Sequence, residues 1–169
     1  MLDRAEGIYM WDVNGKRYID GSSGAMVSNI GHSNPTVLEA MRRQMEKATF
    51  GYRLHFQTDP SEALAEKIVS LTPAGLDRVF FVSGGSEAVE STLKLARQYA
   101  LTQNQAQRTK VISRYPSYHG ATFGALAITG YAPMTAPFDP MMQMMPKIPA
   151  PRAYLDGLDA DDPATGLHY

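Results

Sequence analysis

The 169 residues carry 16 Lys+Arg against 17 Asp+Glu, with 44% hydrophobic and 20% charged residues, the balance of an ordinary globular protein rather than a disordered or fibrous one. A net charge of −1 removes the electrostatic case for a nucleic-acid binder, which needs a basic surface to neutralise phosphates. The absence of cysteine excludes disulfides, thiolate-bound zinc, iron–sulfur clusters and a thiol nucleophile, and is compatible with a cytoplasmic setting.

No run approaches the roughly 18 apolar residues of a spanning helix, and Met1–Glu6 carries no basic-then-apolar leader pattern, so neither membrane insertion nor secretion is expected. A single domain of this length is expected to bury about 70% of its unfolded surface.

Residues 8–20 read as a hairpin, two β-prone runs around Asn14-Gly15, a dipeptide suited to a type I′ turn. A Gly/Ser loop follows from Gly21 to Pro35. Asn34 is placed to cap a helix beginning at Pro35, with Val37, Met41, Met45 and Ala48 forming one stripe. A second helix is expected with Asp59 as its cap, Pro60 in its first turn, Leu64, Ile68 and Leu71 on its buried face, and Thr72-Pro73 as its stop.

The run Arg78–Val82 predicts a strand covered on both faces, leading into Ser83-Gly84-Gly85-Ser86. The helix after it places Ala88, Val89, Thr92, Leu93, Leu95, Ala96, Tyr99 and Ala100 on an apolar side. Glu87, Glu90, Ser91, Lys94, Arg97 and Gln98 fall on a polar side, with Glu90 and Lys94 spaced for an ion pair. A second strand, Lys110–Arg114, leads through Tyr118-His119-Gly120 to a small-residue helix around Ala121–Thr129. Strand, helix, strand, helix predicts an α/β fold, a mainly parallel sheet with flanking helices behind an N-terminal hairpin segment. Six prolines and five methionines between Pro133 and Pro151 argue against regular structure there, and the tail is acidic. Compact domains rarely close on so long an irregular stretch, so further chain is expected.

Two strings carry chemistry. In Val79–Ala88, VFFVSGGSEA, two glycines and a serine at a helix start suit an anion: the backbone can approach closely, and the first-turn N–H groups and the helix dipole favour negative charge. The same string fits a Gly-rich turn with Ser86 capping its own helix. It is neither a P-loop nor a dinucleotide fingerprint. Gly84–Ala88 also approaches a nucleophile elbow, which raises a serine hydrolase with Ser86 as nucleophile; its acid and base would have to come from the tail aspartates and His168.

Tyr118-His119-Gly120 falls on the same carboxyl edge of the predicted sheet, where an aromatic can stack on a flat heterocycle. One signal suits a phosphate and the other a planar ring, so a phosphorylated aromatic cofactor would use both. His32, His55 and His168 lack ligand spacing, and no metal site is expected.

These strings resemble the class III pyridoxal-phosphate-dependent aminotransferases of fold type I. The resemblance rests on YMWDVNGKRYIDG (Tyr9–Gly21), Asn29–His32 with Pro35, FFVSGGSEAVESTLKLARQY (Phe80–Tyr99) and SYHGATFGALAITG (Ser117–Gly130), and covers about three-quarters of the chain. It implies that residues 1–50 belong to the small domain, 51–132 to the start of the cofactor-binding large domain, and 133–169 to a loop and tail whose continuation is missing. It also implies pyridoxal 5′-phosphate as cofactor, its phosphate held by Gly85 and Ser86 with Gly84 adjoining, Tyr118 stacked on the pyridine ring and His119 beside it. Met26, after Ala25, falls at a substrate-pocket position, and Tyr52 is a further pocket residue.

Gly84 stands where many members carry serine or threonine, which would remove one phosphate contact. The family's Schiff-base lysine and the aspartate at the pyridine nitrogen would lie beyond Tyr169. None of Lys16, Lys47, Lys67, Lys94, Lys110 and Lys147 sits in that context. The resemblance therefore implies the amino-terminal part of an aminotransferase passing an amino group from a primary amine or amino acid to a keto acid such as pyruvate, without activity of its own. A homodimer, or a second chain supplying the rest, goes with it. The same motifs admit a PLP-dependent aminomutase or decarboxylase; the remaining alternatives are the hydrolase and a catalytically inert fragment.

Overall fold

The computed structural model describes residues 1–168, less the side chains of Pro163, Leu167 and His168. Two compact units divide the chain, Met1–Arg78 and Val79–Tyr169.

The first unit opens with a three-stranded antiparallel sheet of β1 (Leu2–Glu6), β2 (Tyr9–Asp12) and β3 (Arg17–Ile19), in that order. Arg4 pairs with Trp11, and Trp11 with Arg17, so the guanidinium of Arg4 lies 3.7 Å from the indole centroid. The expected hairpin is present, but its turn is not type I′. Gly15 alone of the pair has positive φ, at 79°, and Gly15 N–H donates to Asp12 O (2.9 Å) while Asp12 N–H donates to Lys16 O (3.1 Å). That is a three-residue loop with glycine in its left-handed position. Asp12 selects it, because its carboxylate accepts from the amides of Asn14 (2.9 Å) and Lys16 (3.0 Å) and from the Tyr18 hydroxyl (2.9 Å).

A short irregular helix, α1 (Ser23–Met26), precedes α2 (Pro35–Lys47), which Asn34 caps as expected by accepting from the Thr36 and Val37 amides. The cap of α3 (Asp59–Val69) is Thr58 rather than Asp59. The Thr58 carbonyl already accepts from the amides of Ser61 and Glu62, which moves the aspartate into the first turn. The stripes of α2 and α3 are not buried: Val37, Met41, Met45, Leu64 and Leu71 lie exposed, and no residue of this unit is fully buried.

The second unit contains α4 (Gly85–Thr102), β4 (Ser113–Tyr115), α5 (Phe123–Ile128), α6 (Ala132–Thr135), a 3-10 turn over Ala136–Met141 and β5 (Lys147–Pro149). β4 and β5 pair in parallel, Ser113 with Lys147 and Tyr115 with Pro149, with α5 in the crossover. This is the α/β arrangement expected, with three corrections. The second strand begins at Ser113 rather than Lys110. The Pro/Met-rich stretch is not wholly irregular, since it supplies β5, and the prolines at 146 and 149 flank or end that edge strand where a missing donor is tolerated. The run Arg78–Val82 forms no ladder among the described residues, and Phe80 and Phe81 stand 62% and 40% exposed. An apolar run becomes a strand only through ladders with neighbouring strands.

The core sits around α5: Ala125, Leu126, Ala127 and Ile128 are buried, with Ala100 of α4 and the polar Ser113, Thr129 and Thr135. The exposed surface of 13458 Å² is about half of the roughly 27,000 Å² of an unfolded chain of this mass, so the expected 70% burial is not reached. Two independent compact units of half the mass would together expose only about 9,900 Å². The excess is apolar stripe without a covering element.

Candidate functional site

The start of α4 determines what the glycine-rich string can do. Gly84 is the helix cap and no side chain caps the helix. Ala88 N–H bonds to Gly84 O (3.0 Å), and the amides of Gly85, Ser86 and Glu87 meet no acceptor among the described residues. Three donors therefore point out of a helix N-terminus without a partner, the arrangement that receives an anion. A Cβ on Gly85 would meet nothing within 4 Å, whereas one on Gly84 would lie 2.9 Å from the Glu87 carboxylate, so the cradle is open at Gly85 and bordered by Glu87 at Gly84.

Ser86 does not cap its own helix. Its Oγ accepts from the Ala121 amide at 3.0 Å, which leaves the hydroxyl proton to donate. That bond seats α4 against the segment that follows Tyr118-His119-Gly120, so the two strings singled out in the sequence meet. A Cβ on Gly120 would lie 2.6 Å from Ser86 Oγ. The loop between them is pinned from below by Thr129, which is fully buried and whose Oγ1 accepts from His119 N–H (3.0 Å) and donates to Ala125 O (3.0 Å). With its backbone so held, His119 is half-buried and the Tyr118 ring is 62% exposed, available to lie on a flat group.

The face α4 turns inward differs from the apolar side expected. Ser86, Val89, Glu90, Leu93, Arg97 and Ala100 are covered, whereas Ala88, Leu95, Ala96 and Tyr99 are exposed. The amides before and within α5 find their oxygen acceptors on this side of α4, in Ser86 and Glu90. Glu90 consequently makes no ion pair with Lys94; its Oε1 accepts from Gly124 N–H (2.9 Å) and Ala125 N–H (3.3 Å). The buried Thr122 hydroxyl nearby is the largest influence holding the Glu90 carboxyl below the usual carboxylate range. The Ala125 and Gly124 amides add to it against the opposing effect of burial. Sequence reasoning missed Glu90 and Thr129. The steps 86, 90, 93, 97 and 100 were the available signal, masked because two of those residues are charged.

Lys147 is engaged elsewhere: its Nζ donates to Ala127 O (3.1 Å) and Met145 O (3.3 Å), closing the carboxyl end of α5. An apolar groove of ≈ 600 Å³ lined by Leu93, Ala100, Phe123, Ala127, Ile128 and Met145 shares no residue with the cradle. Among the described residues no group of side chains has the make-up of a metal site. No histidine bonds Ser86 among the described residues, and the tail carboxylates of Asp159 and Asp162 accept from amides of their own turns; the His168 side chain lies outside the described residues.

The class-III aminotransferase family pattern matches residues 1–168. The chain belongs to the class-III aminotransferases. It is 40% identical to the uncharacterized aminotransferase YodT of Bacillus subtilis (strain 168), over 91% of this chain and 35% of that protein. With the acetylornithine aminotransferase of Archaeoglobus fulgidus it shares 39% identity, over 84% and 36%. Among solved structures it superposes on an (S)-enantioselective omega-transaminase from Thermomicrobium roseum with a TM-score of 0.86 and 38% identity, covering 92% of this chain and 35% of that one. An omega-transaminase from Pseudomonas jessenii in complex with PMP gives a TM-score of 0.88 at 29% identity, covering 96% and 36%. This class-III chain thus spans about a third of the length of the relatives it matches. Its fold is that of the fold type I transaminases, and the family depends on pyridoxal 5′-phosphate. The open amides of α4, the Ser86 hydroxyl and the exposed Tyr118 ring fit a phosphorylated pyridine.

In the first unit of this class-III chain, Met26 closes α1 at φ 61° and is exposed, and Tyr52 stands edge-on to His55 with ring centroids 5.3 Å apart. The loop bearing Met26 is held at its ends by an unanticipated pair. His32 Nε2 lies 2.7 Å from Asp20 Oδ2, while Asp20 Oδ1 accepts from Ser23 N–H at 2.8 Å. Ser23 (φ 53°) and Met26 occupy left-handed backbone that costs such residues energy, and Asp20 is what restrains them. The His32 bond, and then the Ser23 and Ser22 amides, hold the Asp20 carboxyl below its ordinary 3.8. A lowered folded pKa contributes stability that is complete above the ordinary value and is lost as pH falls below it. The denaturant midpoint of the first unit is therefore expected to fall as the pH drops below 3.8, and Asp20→Asn to flatten that fall. Equal slopes in wild type and variant would remove the assignment.

Proposed function

We propose that this chain forms the amino-terminal part of a pyridoxal-phosphate-dependent aminotransferase that moves an amino group from a primary amine or amino acid to a keto acid such as pyruvate. The observation carrying the proposal is the Ser86 Oγ bond to the Ala121 amide, which brings an open anion cradle and a solvent-facing aromatic to one place. Gly85, Ser86 and the neighbouring Glu87 amide receive the phosphate, with Gly84 adjoining. The Tyr118 ring covers one face of the pyridine, and His119 sits beside it. The family resemblance assigns Met26 and Tyr52 to substrate-pocket positions. When bound, the cofactor supplies an electron sink for charge left beside the amino nitrogen.

Amino transfer also needs a lysine amine and an acid at the pyridine nitrogen. Lys147 is engaged with two carbonyls; in this reading those groups come from polypeptide outside these residues, and the chain alone does not turn over. The surface left open supports this reading: the apolar stripes of α2 and α3 and the apolar groove lie uncovered among the described residues. Their cover is the rest of a longer chain or a second polypeptide, within a homodimer in the cytoplasm. No helix among the described residues is long and apolar enough to cross a membrane.

Pyridoxamine 5′-phosphate is the suitable probe, since it has no aldehyde to react with surface lysines. It is expected to bind the chain at least tenfold more tightly than pyridoxamine, and Ser86→Ala to weaken it about tenfold, the loss of one charge-assisted hydrogen bond. Equal affinity for the two vitamers, or no effect of Ser86→Ala by equilibrium dialysis, would refute the cradle.

A further inference from the structure

Glu90 lies one helical turn after Ser86 on α4, and the two side chains grip one stretch of backbone. Ser86 Oγ takes the Ala121 amide, and Glu90 Oε1 takes those of Gly124 and Ala125. Tyr118-His119-Gly120 ends where this grip begins. The fit is tight at both points. A Cβ on Gly124 would come within 2.5–2.8 Å of the Glu90 carboxylate, and one on Gly120 within 2.6 Å of Ser86 Oγ. The cap residue of α5, Thr122, offers its helix no side-chain bond, so Glu90 supplies the acceptor that the first turn of α5 otherwise lacks.

A carboxylate one turn below an anion cradle would ordinarily repel the anion. Here its charge is spent on two amides of α5 and on the dipole of that helix, so the donors of α4 stay free while those of α5 are occupied. The effect is to hold α5 against α4, and with it the segment that follows Tyr118 and His119 beside Ser86.

We propose that Glu90 is the positioning residue of the cofactor site, fixing α5 on α4 so that the Tyr118-His119-Gly120 loop is presented beside the Ser86 cradle. This rests on the cradle reading given above. The depressed carboxyl of Glu90 keeps it an acceptor through the neutral range.

The test uses the whole chain with Glu90→Gln, Glu90→Asp, Glu90→Ala and Ser86→Ala, reading amide hydrogen exchange at residues 121–125 and the affinity for pyridoxamine 5′-phosphate. Glutamine keeps an acceptor oxygen at the same reach, so Glu90→Gln is expected to retain slow exchange and to bind within about threefold of wild type. Aspartate keeps the charge but is one methylene short. Glu90→Asp is expected to exchange at least tenfold faster at Gly124 and Ala125 and to bind about tenfold more weakly, as is Glu90→Ala. If Glu90→Ala does not fold, the glutamine–aspartate pair decides. Faster exchange in the aspartate variant with unchanged affinity would reduce Glu90 to a structural contact and overturn the proposal, while a tenfold loss in Ser86→Ala left the cradle standing. No loss in Ser86→Ala would instead refute the cradle itself.

Discussion

Gly120→Ala is expected to destabilise the second unit by about 2–6 kcal/mol and to abolish measurable binding of pyridoxamine 5′-phosphate. Two costs combine at this residue. Its φ of 137° lies where an L side chain rarely goes, at about 1–3 kcal/mol. Its added methyl would stand 2.6 Å from Ser86 Oγ, 2.9 Å from Ala125 Cβ and 3.0 Å from Ser86 Cα, an overpacking of about 1–3 kcal/mol. The hydroxyl is the softest of these obstacles, so it moves first, and in moving it leaves the Ala121 amide. Binding is thus lost at a smaller structural disturbance than folding. The Gly120→Ala, Ser86→Ala double variant separates the two costs. Removing Oγ leaves the clashes with the Ala125 methyl and the residue-86 backbone, together with the strain at residue 120, so most of the stability loss should persist. Urea midpoints of the four members of the cycle measure it, and full recovery in the double variant would show that the hydroxyl clash is the whole cost.

What the sequence disclosed divides along a physical line. The hairpin at Asn14-Gly15, the Asn34 cap with Pro35 and the small-residue helix near 123–128 are local; each is decided within a few residues by turn chemistry or by an amide seeking an oxygen. The meeting of SGGS with YHG was legible because each string follows a β-prone run and leads into a helix. The turn type was misread because the Asp12 carboxylate, two residues earlier, outweighed the dipeptide. The non-local features were not legible. Arg78–Val82 has the composition of a buried strand, and composition cannot supply the ladder that makes one. β5 sits among prolines, and only its pairing with β4 reveals it. Glu90 reads as a surface charge beside Lys94 until the Gly124 amide is found against it. Periodicity reports which side of a helix is apolar, not which side meets unsatisfied amides.

Gly130→Ala is expected to be the most destabilising of the glycine substitutions, at about 3 kcal/mol or more, above the usual overpacking range. The residue is buried, and a Cβ there would lie 2.3 Å from the Arg114 carbonyl oxygen and 3.0 Å from Tyr115 Cα. Both obstacles are backbone of β4, so no rotamer change relieves them. The same residue exchanges two backbone bonds with Ser117, each of 3.0 Å, and these close the loop that contains Tyr118, His119 and α5. Displacing Gly130 therefore opens the loop from its base, in contrast to Gly124→Ala, where the obstacle is the tip of the Glu90 side chain and rotation can absorb it. Gly85→Ala is the control, since its methyl meets nothing within 4 Å and its effect should stay within about 0.5 kcal/mol. Urea unfolding should rank the losses as Gly130, then Gly124, then Gly85. A Gly130→Ala midpoint close to that of Gly85→Ala would show that the base of the loop yields, and that the Ser117–Gly130 closure does not set the position of Tyr118.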